Sequence, residues 1–273
     1  MQANCPKFNA KIYAKTIMQN WIEEKQNKLR EFFELDSGTE LISPQTAESF
    51  NVSPIVTEHL RKFNIEWHII PSAESIPIDT DDYRGRLYPM LKFDPSNRDY
   101  QKTSSYRAIM DGHQRHQGRI VGIETTPKPK YLPGNRQFYG TPYGFEAKAD
   151  PFAGYFGRAN FLSGTRYAHN YRSLRNLVNL ITEDWSKHGL MPTGYRLTIC
   201  PPVVFNLVGT VFHPEWSATE ALELGFYRDE NGNAKCYAVG SNAPDDFSYI
   251  QEVETEADWT LLGFRAALVP VNI

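Results

Sequence analysis

The chain has 273 residues and a net charge of −3, with 41% hydrophobic, 22% charged and 13% aromatic side chains, including 15 Tyr and 16 Phe. These values predict a globular protein that buries well over half of its unfolded surface, as one large domain or two small ones. Three cysteines without a CxxC spacing, Cys5, Cys200 and Cys236, exclude a disulfide framework and a zinc ribbon, and no window approaches the roughly 18 apolar residues of a membrane span.

The N-terminus, MQANCPKFNAKIYAKTIMQNW, lacks the apolar core of a signal peptide, so a soluble, cytoplasmic protein with reduced thiols is expected. Residues 10–35 place Ile12, Tyr13, Ile17, Trp21, Ile22, Leu29, Phe32 and Phe33 close to helical spacing, and the DSG that follows is a stop. Trp21 and Phe32 are the expected contacts of this helix with the body. From Thr46 to Leu60 the pattern looks like a helix-turn-helix, with Ser53 and Pro54 as N-cap and first helical position of its second helix. Thr57 stands where that motif buries a branched aliphatic, and the surroundings are acidic. A packing unit leading into a strand at Ile65–Ile70 therefore fits better than a duplex-reading helix.

Residues 71–105 are rich in Pro, Asp and Ser and read as loops around short strands; Asp79, Asp81 and Asp82 lack the Gly and terminal Glu of a calcium loop. RIVGIET, residues 119–125, suggests a short buried strand. About forty residues of Gly, Pro and aromatics follow without a helical period, and their ring content favours ordered loops. A helix is predicted over 168–188, with Leu174, Leu177, Val178, Ile181 and Trp185 on one face and Gly189 as its C-terminal cap. Beyond it YRLTIC, PVVFNLVGTVF, ALELGFYRD, KCYAVGS and TLLGFRAALVPV read as strands, with Asp229-Glu230-Asn231-Gly232-Asn233 as a hairpin turn. The expected fold class is α+β, with a helical N-terminal part, an irregular aromatic-rich middle and an antiparallel sheet in the C-terminal third. Residues 1–83 form an acidic segment packed on a main domain of residues 84–273, together one compact unit.

Charge is unevenly spread along the chain. Residues 1–83 carry 8 Lys+Arg against 13 Asp+Glu, residues 84–175 carry 16 against 6, and residues 176–273 carry 5 against 13. The middle is thus +10 between segments of −5 and −8, and within it Arg outnumbers Lys by 11 to 5. Arginines interleaved with Tyr and Phe suit a phosphate-rich ligand such as single-stranded nucleic acid, whose phosphates pair with cations while bases stack on rings. The alternative is that the basic middle folds against the acidic ends and is neutralised internally.

The densest group of reactive side chains is DGHQRHQGR, residues 111–119. His113 and His116 would need a third ligand such as Asp111 or His169 to hold a metal, and the flanking glycines disfavour a stable helix there. As a phosphate cradle, Gly112 and Gly118 would turn backbone amides inward while Arg115 and Arg119 pair with the anion. The same stretch also reads as a polar connector into the RIVGIE strand. Signatures of hydrolases, P-loops and dinucleotide sites are absent, His213 in FHPEW reads as a packing residue, and Cys200 and Cys236 read as buried and inert.

The terminal TEADWTLLGFRAAL resembles, over about a dozen residues, the end of the C-type-lectin-like fold of formylglycine-generating enzymes, where a GFR tripeptide closes the domain. The Trp- and Arg-rich motifs that normally precede that ending are missing, so the resemblance implies no function for this chain.

Three functions stay open on these residues. The first is binding of single-stranded nucleic acid or another phosphorylated ligand through Arg107, Arg115, Arg119, Lys128, Lys130, Arg136, Tyr131 and Tyr139. A second is an enzyme acting on a phosphorylated substrate, with His113 or His116 as the catalytic acid or base. The third is an assembly protein that joins a protein partner or a second copy of itself. No cofactor, no metal and no membrane partner is expected.

Overall fold

Helices open the chain and two sheets close it. In the computed structural model the described residues are 10–72, 74–76, 112, 114–126, 131–132, 136–137, 150–159, 166, 169–218, 222–228, 231–240, 249–257 and 262–271. Helix α1 (Ala10–Phe33) buries Leu29 and Phe33, sets the Trp21 ring 5.8 Å from Phe50, and ends where Glu34 turns to φ +55°. Helices α2 (Pro44–Ser49) and α3 (Pro54–Lys62) each begin with Ser-Pro. The Ser43 and Ser53 hydroxyls accept from the amides of Thr46 and Val56, and each such cap is worth about 1 kcal/mol. The helical pair leads directly into β1 (Ile65–Ile70), so the 46–60 stretch is a packing unit on a sheet.

Strand β2 (Arg119–Glu124) pairs antiparallel with β1, as the RIVGIE run suggested. A short hairpin, β3 (Tyr131–Leu132) with β4 (Arg136–Gln137), and a single helical turn, α4 (Ala153–Phe156), are the described elements of the aromatic middle. Helix α5 (Tyr171–Lys187) buries Leu174, Leu177, Val178, Ile181 and Trp185 on one face and ends at Gly189, whose φ of +66° only glycine adopts without strain.

After β5 (Tyr195–Ile199) comes the main departure from the sequence reading. PVVFNLVGTVF is a helix, α6 (Pro202–Phe212), and 10 of its 11 residues are buried. A helix enclosed on all sides shows no polar face, so its valine-rich run has neither a helical nor a strand period. Length and the Pro201-Pro202 start are the signals that favour the helix. A 3-10 turn at Pro214–Ala218 follows.

Strands β6 (Leu222–Arg228), β7 (Ala234–Gly240), β8 (Tyr249–Val253), β9 (Leu262–Phe264) and β10 (Ala266–Pro270) complete two four-stranded sheets. The first, in the order β1-β2-β10-β5, is antiparallel throughout. The second, β8-β7-β6-β9, contains the expected β6–β7 hairpin, and its β9 runs parallel to β6. TLLGFRAALVPV is therefore two strands in different sheets, with Arg265 at the crossing. Helix α6 packs against β1 on one side and against β6 and β7 on the other. The class is α+β, and the first sheet draws β1 from the N-terminal part and its other strands from the remainder.

Two buried arginines join the sheets at the crossing. Arg166 donates to Asp150 at 2.6 Å, to both Glu124 oxygens at 2.9 and 3.1 Å, and to the Phe264 carbonyl at 2.9 Å. Arg265 donates to both Glu223 oxygens at 2.8 and 2.7 Å and to the carbonyls of Glu124 and Thr126 at 2.6 and 2.8 Å, while its guanidinium lies 4.0 Å from the Trp216 ring centroid. Burial would raise the Glu124 pKa, but Arg166 outweighs it, helped by Arg265, and holds the carboxylate below its usual range. The arginine of the GFR ending is thus a structural node. Cys200 and Cys236 are buried, and burial raises both thiol pKa values, that of Cys236 to about 12. No helix among the described residues is long and apolar enough to cross a membrane.

Candidate anion-binding cleft

Strand pairing sets which side chains share a face. On one face of the first sheet stand Glu66 and His68 of β1, Arg119 and Val121 of β2, Ala267 and Val269 of β10, and Arg196 and Thr198 of β5. Helix α6 lies over this face, with Phe212 at its C-terminal end against His68 and Pro202 at its N-terminal end beside Arg196. Where α6 begins, the two sheets part and leave a cleft.

The cleft has two continuous parts that share Arg196, Thr198, Phe226 and Arg228. One, of about 50 Å³, reaches Arg115, His116 and Tyr227; the other, of about 260 Å³, runs along α5 past Tyr171 and Arg175. Four arginines, Arg115, Arg175, Arg196 and Arg228, face this space, and no Asp or Glu is among its described lining.

Aromatic rings lie beneath two of these guanidinium groups. Arg115 lies 5.4 Å over the Tyr227 ring and Arg228 lies 5.5 Å over Phe226, while Phe226 stacks on Tyr171 at 4.7 Å and 17°. Arg228 also donates to the Gly232 carbonyl at 2.7 Å, fixing its position at the hairpin. The positive field registers on the neighbouring titratable groups. Burial first, and then Arg115, Arg196 and Arg119, push the His116 pKa down to about 4. Burial raises the Tyr171 pKa, and Arg228, Arg175 and Arg196 act against that rise.

This arrangement redistributes the roles expected of DGHQRHQGR. Arg115 and His116 line the cleft, and Arg119 opens β2 as an exposed residue on the same sheet face. The backbone cradle is not formed. Gly112 is packed so closely on α6 that a Cβ would lie 2.9 Å from Val203 Cγ1, and the Gly118 amide donates to the Pro71 carbonyl at 3.1 Å. Nor does His116 suit a metal: it is buried and surrounded by three arginines that repel a cation. His169 is half-buried at the foot of α5. Asp111, Arg107, His113, Lys128, Lys130 and Tyr139 lie outside the described residues, as do Cys5, Asp79, Asp81 and Asp82. Tyr131 and Arg136 fall on β3 and β4, where the backbone alone is described.

The sequence alone does not single out Arg175, Arg196, Arg228 and Phe226 as site residues, and Tyr171 enters only as one of the rings of the basic middle. Arg196 and Arg228 belong to the segment whose sum is −8, and a tally along the chain hid them. A signal was present in the spacing: Arg196 and Thr198 alternate in YRLTI, and Arg175 stands four residues after Tyr171 on a helix. Arg158 meets Asp184 at 3.3 Å across the segment boundary, whereas Arg166 pairs with Glu124 and Asp150 of its own segment. Comparison with protein families, curated proteins and solved structures finds no match for the chain.

Proposed function

We propose that the chain binds a phosphate-bearing ligand in this cleft, with single-stranded nucleic acid as the leading candidate. The observation that carries the proposal is the convergence of four arginines on a space whose described lining holds no carboxylate. An anion placed among them accepts charge-assisted hydrogen bonds from planar guanidinium groups. The N-terminal end of α6 adds its partial positive charge at Pro201 and Pro202.

Ring positions bear on the kind of ligand. Phe226 is already in contact with both the Tyr171 ring and the Arg228 guanidinium, so the rings of the cleft meet arginines and one another more than they offer bare faces to bases. Phosphate recognition is accordingly the core of the reading, and base stacking is the lesser part. A catalytic role for His116 gains no support here, because a pKa of about 4 leaves a neutral and weakly basic imidazole at pH 7. Titration of a labelled oligonucleotide, with inorganic polyphosphate as competitor, tests the proposal. Competition by polyphosphate at matched charge supports phosphate recognition, and the absence of oligonucleotide and polyphosphate binding at low salt ends it.

A further inference from the structure

At the opposite end of α6 a second group of side chains converges. Glu66 and His68 are two apart on β1 and so share a face, and His213 is delivered to them by the C-cap of α6. His213 Nε2 lies 3.9 Å and His68 Nε2 4.0 Å from the same Glu66 oxygen, and one ligand atom from each of the three residues lies within 4.8 Å of the others. We propose that Glu66, His68 and His213 form a binding site for a divalent metal ion of the zinc class.

Four features support it. First, His68 is fully buried, yet neither of its ring nitrogens has a hydrogen-bond partner, and the Nε2 of His213 is likewise buried without one. Orphaned buried nitrogens are rare, and two of them aimed at one carboxylate call for a shared partner. Second, the His213 ring is held in the ligating orientation: its Nδ1 is 2.8 Å from Glu215, and the ring stacks on Trp216 at 4.7 Å and 9°. A carboxylate behind a histidine is the usual support of a metal ligand. Third, the site lies at the C-terminal end of a buried helix, where the backbone dipole favours a cation. Fourth, two imidazoles and one carboxylate are a known donor set for zinc with a fourth position left open. Ligand atoms around a tetrahedral zinc are about 3.3 Å apart, given metal–ligand lengths of about 2.0 Å, so each must move by about an ångström. Glu66, half exposed, has the freedom to do so.

The opposing charges are Lys25 and Lys28 of α1, whose ammonium groups lie 4.8 and 5.3 Å from the Phe212 ring centroid. Burial, above all, lowers the Lys25 pKa, and Glu66 opposes that effect, so Lys25 competes for the carboxylate, whose Oε1 also accepts from the Thr125 hydroxyl at 3.3 Å. Glu24 also acts on Lys25 with the opposite charge, and Glu215 is engaged by the Nδ1 of His213.

Metal content after zinc loading and gel filtration, a Co²⁺ absorption spectrum and thermal unfolding with and without Zn²⁺ test the site. The full chain should retain about one zinc, give the intense visible bands of four-coordinate cobalt, and melt about 5 °C or more higher at a hundred times the Kd. Glu66→Gln and His213→Gln, both at partly exposed positions, should keep the metal-free melting temperature and lose at least tenfold in zinc affinity. Lys25→Met should bind zinc as tightly as the parent chain or more so. Zinc that leaves the parent chain's melting temperature unchanged, or equal zinc retention in both ligand variants, would overturn the site. Binding seen only in Lys25→Met would do so as well, because Lys25 would then be the natural partner of Glu66.

Discussion

Replacing Arg265 with methionine should be among the most damaging single changes in the protein. The substitution leaves both Glu223 oxygens without their donors in a buried setting, and an uncompensated buried partner of an ion pair costs about 4 kcal/mol. It also removes the donor to the carbonyls of Glu124 and Thr126, at about 1 kcal/mol each. The expected loss is about 6 kcal/mol, most of the stability of an ordinary domain. Adding Glu223→Leu removes the stranded carboxylate and leaves only the two carbonyls unsatisfied, so the double variant should recover about 4 kcal/mol relative to Arg265→Met. Methionine can still lie against Trp216, where the guanidinium now sits at 4.0 Å, so little packing is lost. Urea unfolding followed by tryptophan fluorescence measures all three proteins. A single variant within about 1 kcal/mol of the parent, or a double variant no more stable than the single, would refute the role of this node in joining the sheets.

Two further outcomes follow from buried residues near the cleft. His116 has its pKa pushed down to about 4 in the folded chain, against about 6.5 when unfolded, so the unfolded state binds the proton first as pH falls. Its contribution is complete above pH 6.5 and is lost toward pH 4; between pH 7.5 and 5 it amounts to about 2 kcal/mol, and urea midpoints of His116→Gln should fall less over that interval than those of the parent. An unchanged pH profile in the variant would count against the buried, neutral imidazole. Gly112→Ala should destabilise by about 1–3 kcal/mol because its Cβ would meet Val203 at 2.9 Å, and Val203→Ala in the same chain should relieve part of that loss. Neutral behaviour of Gly112→Ala in thermal unfolding would show that α6 does not press on this glycine.

Local signals in the sequence carried most of the elements. The Ser-Pro start of α3 and the Gly189 stop of α5 specify backbone geometry through a few adjacent residues and stand where expected, and β6 pairs antiparallel with β7 on either side of the DENGN stretch. Helix α6 did not announce itself, because the amphipathic period exists only when one side of a helix meets water, and both sides of this one meet protein. The break at Arg265 was hidden for a related reason: β9 and β10 are buried on both faces, and only the placement of a charged residue between them marks the change of sheet. The cleft was half legible. Arg115 and His116 were noticed because they are adjacent in sequence, whereas Arg175, Arg196 and Arg228 come from three separate elements, and charge summed along the chain cannot report charge gathered in space. His213 likewise reads as a packing residue, which its stacking on Trp216 supports, but its approach to Glu66 depends on a strand and a helix end 147 positions apart, at 66 and 213.

The salt dependence of oligonucleotide binding tests anion recognition by the arginine cleft most directly. If all four arginines contact phosphates, log K against log salt should have a slope of about −3 for a single strand, and Arg196→Gln with Arg228→Gln should reduce it to about −1.5. Binding at low salt whose affinity and slope are the same in parent and double variant would place any phosphate contacts elsewhere and contradict the proposed function of the cleft.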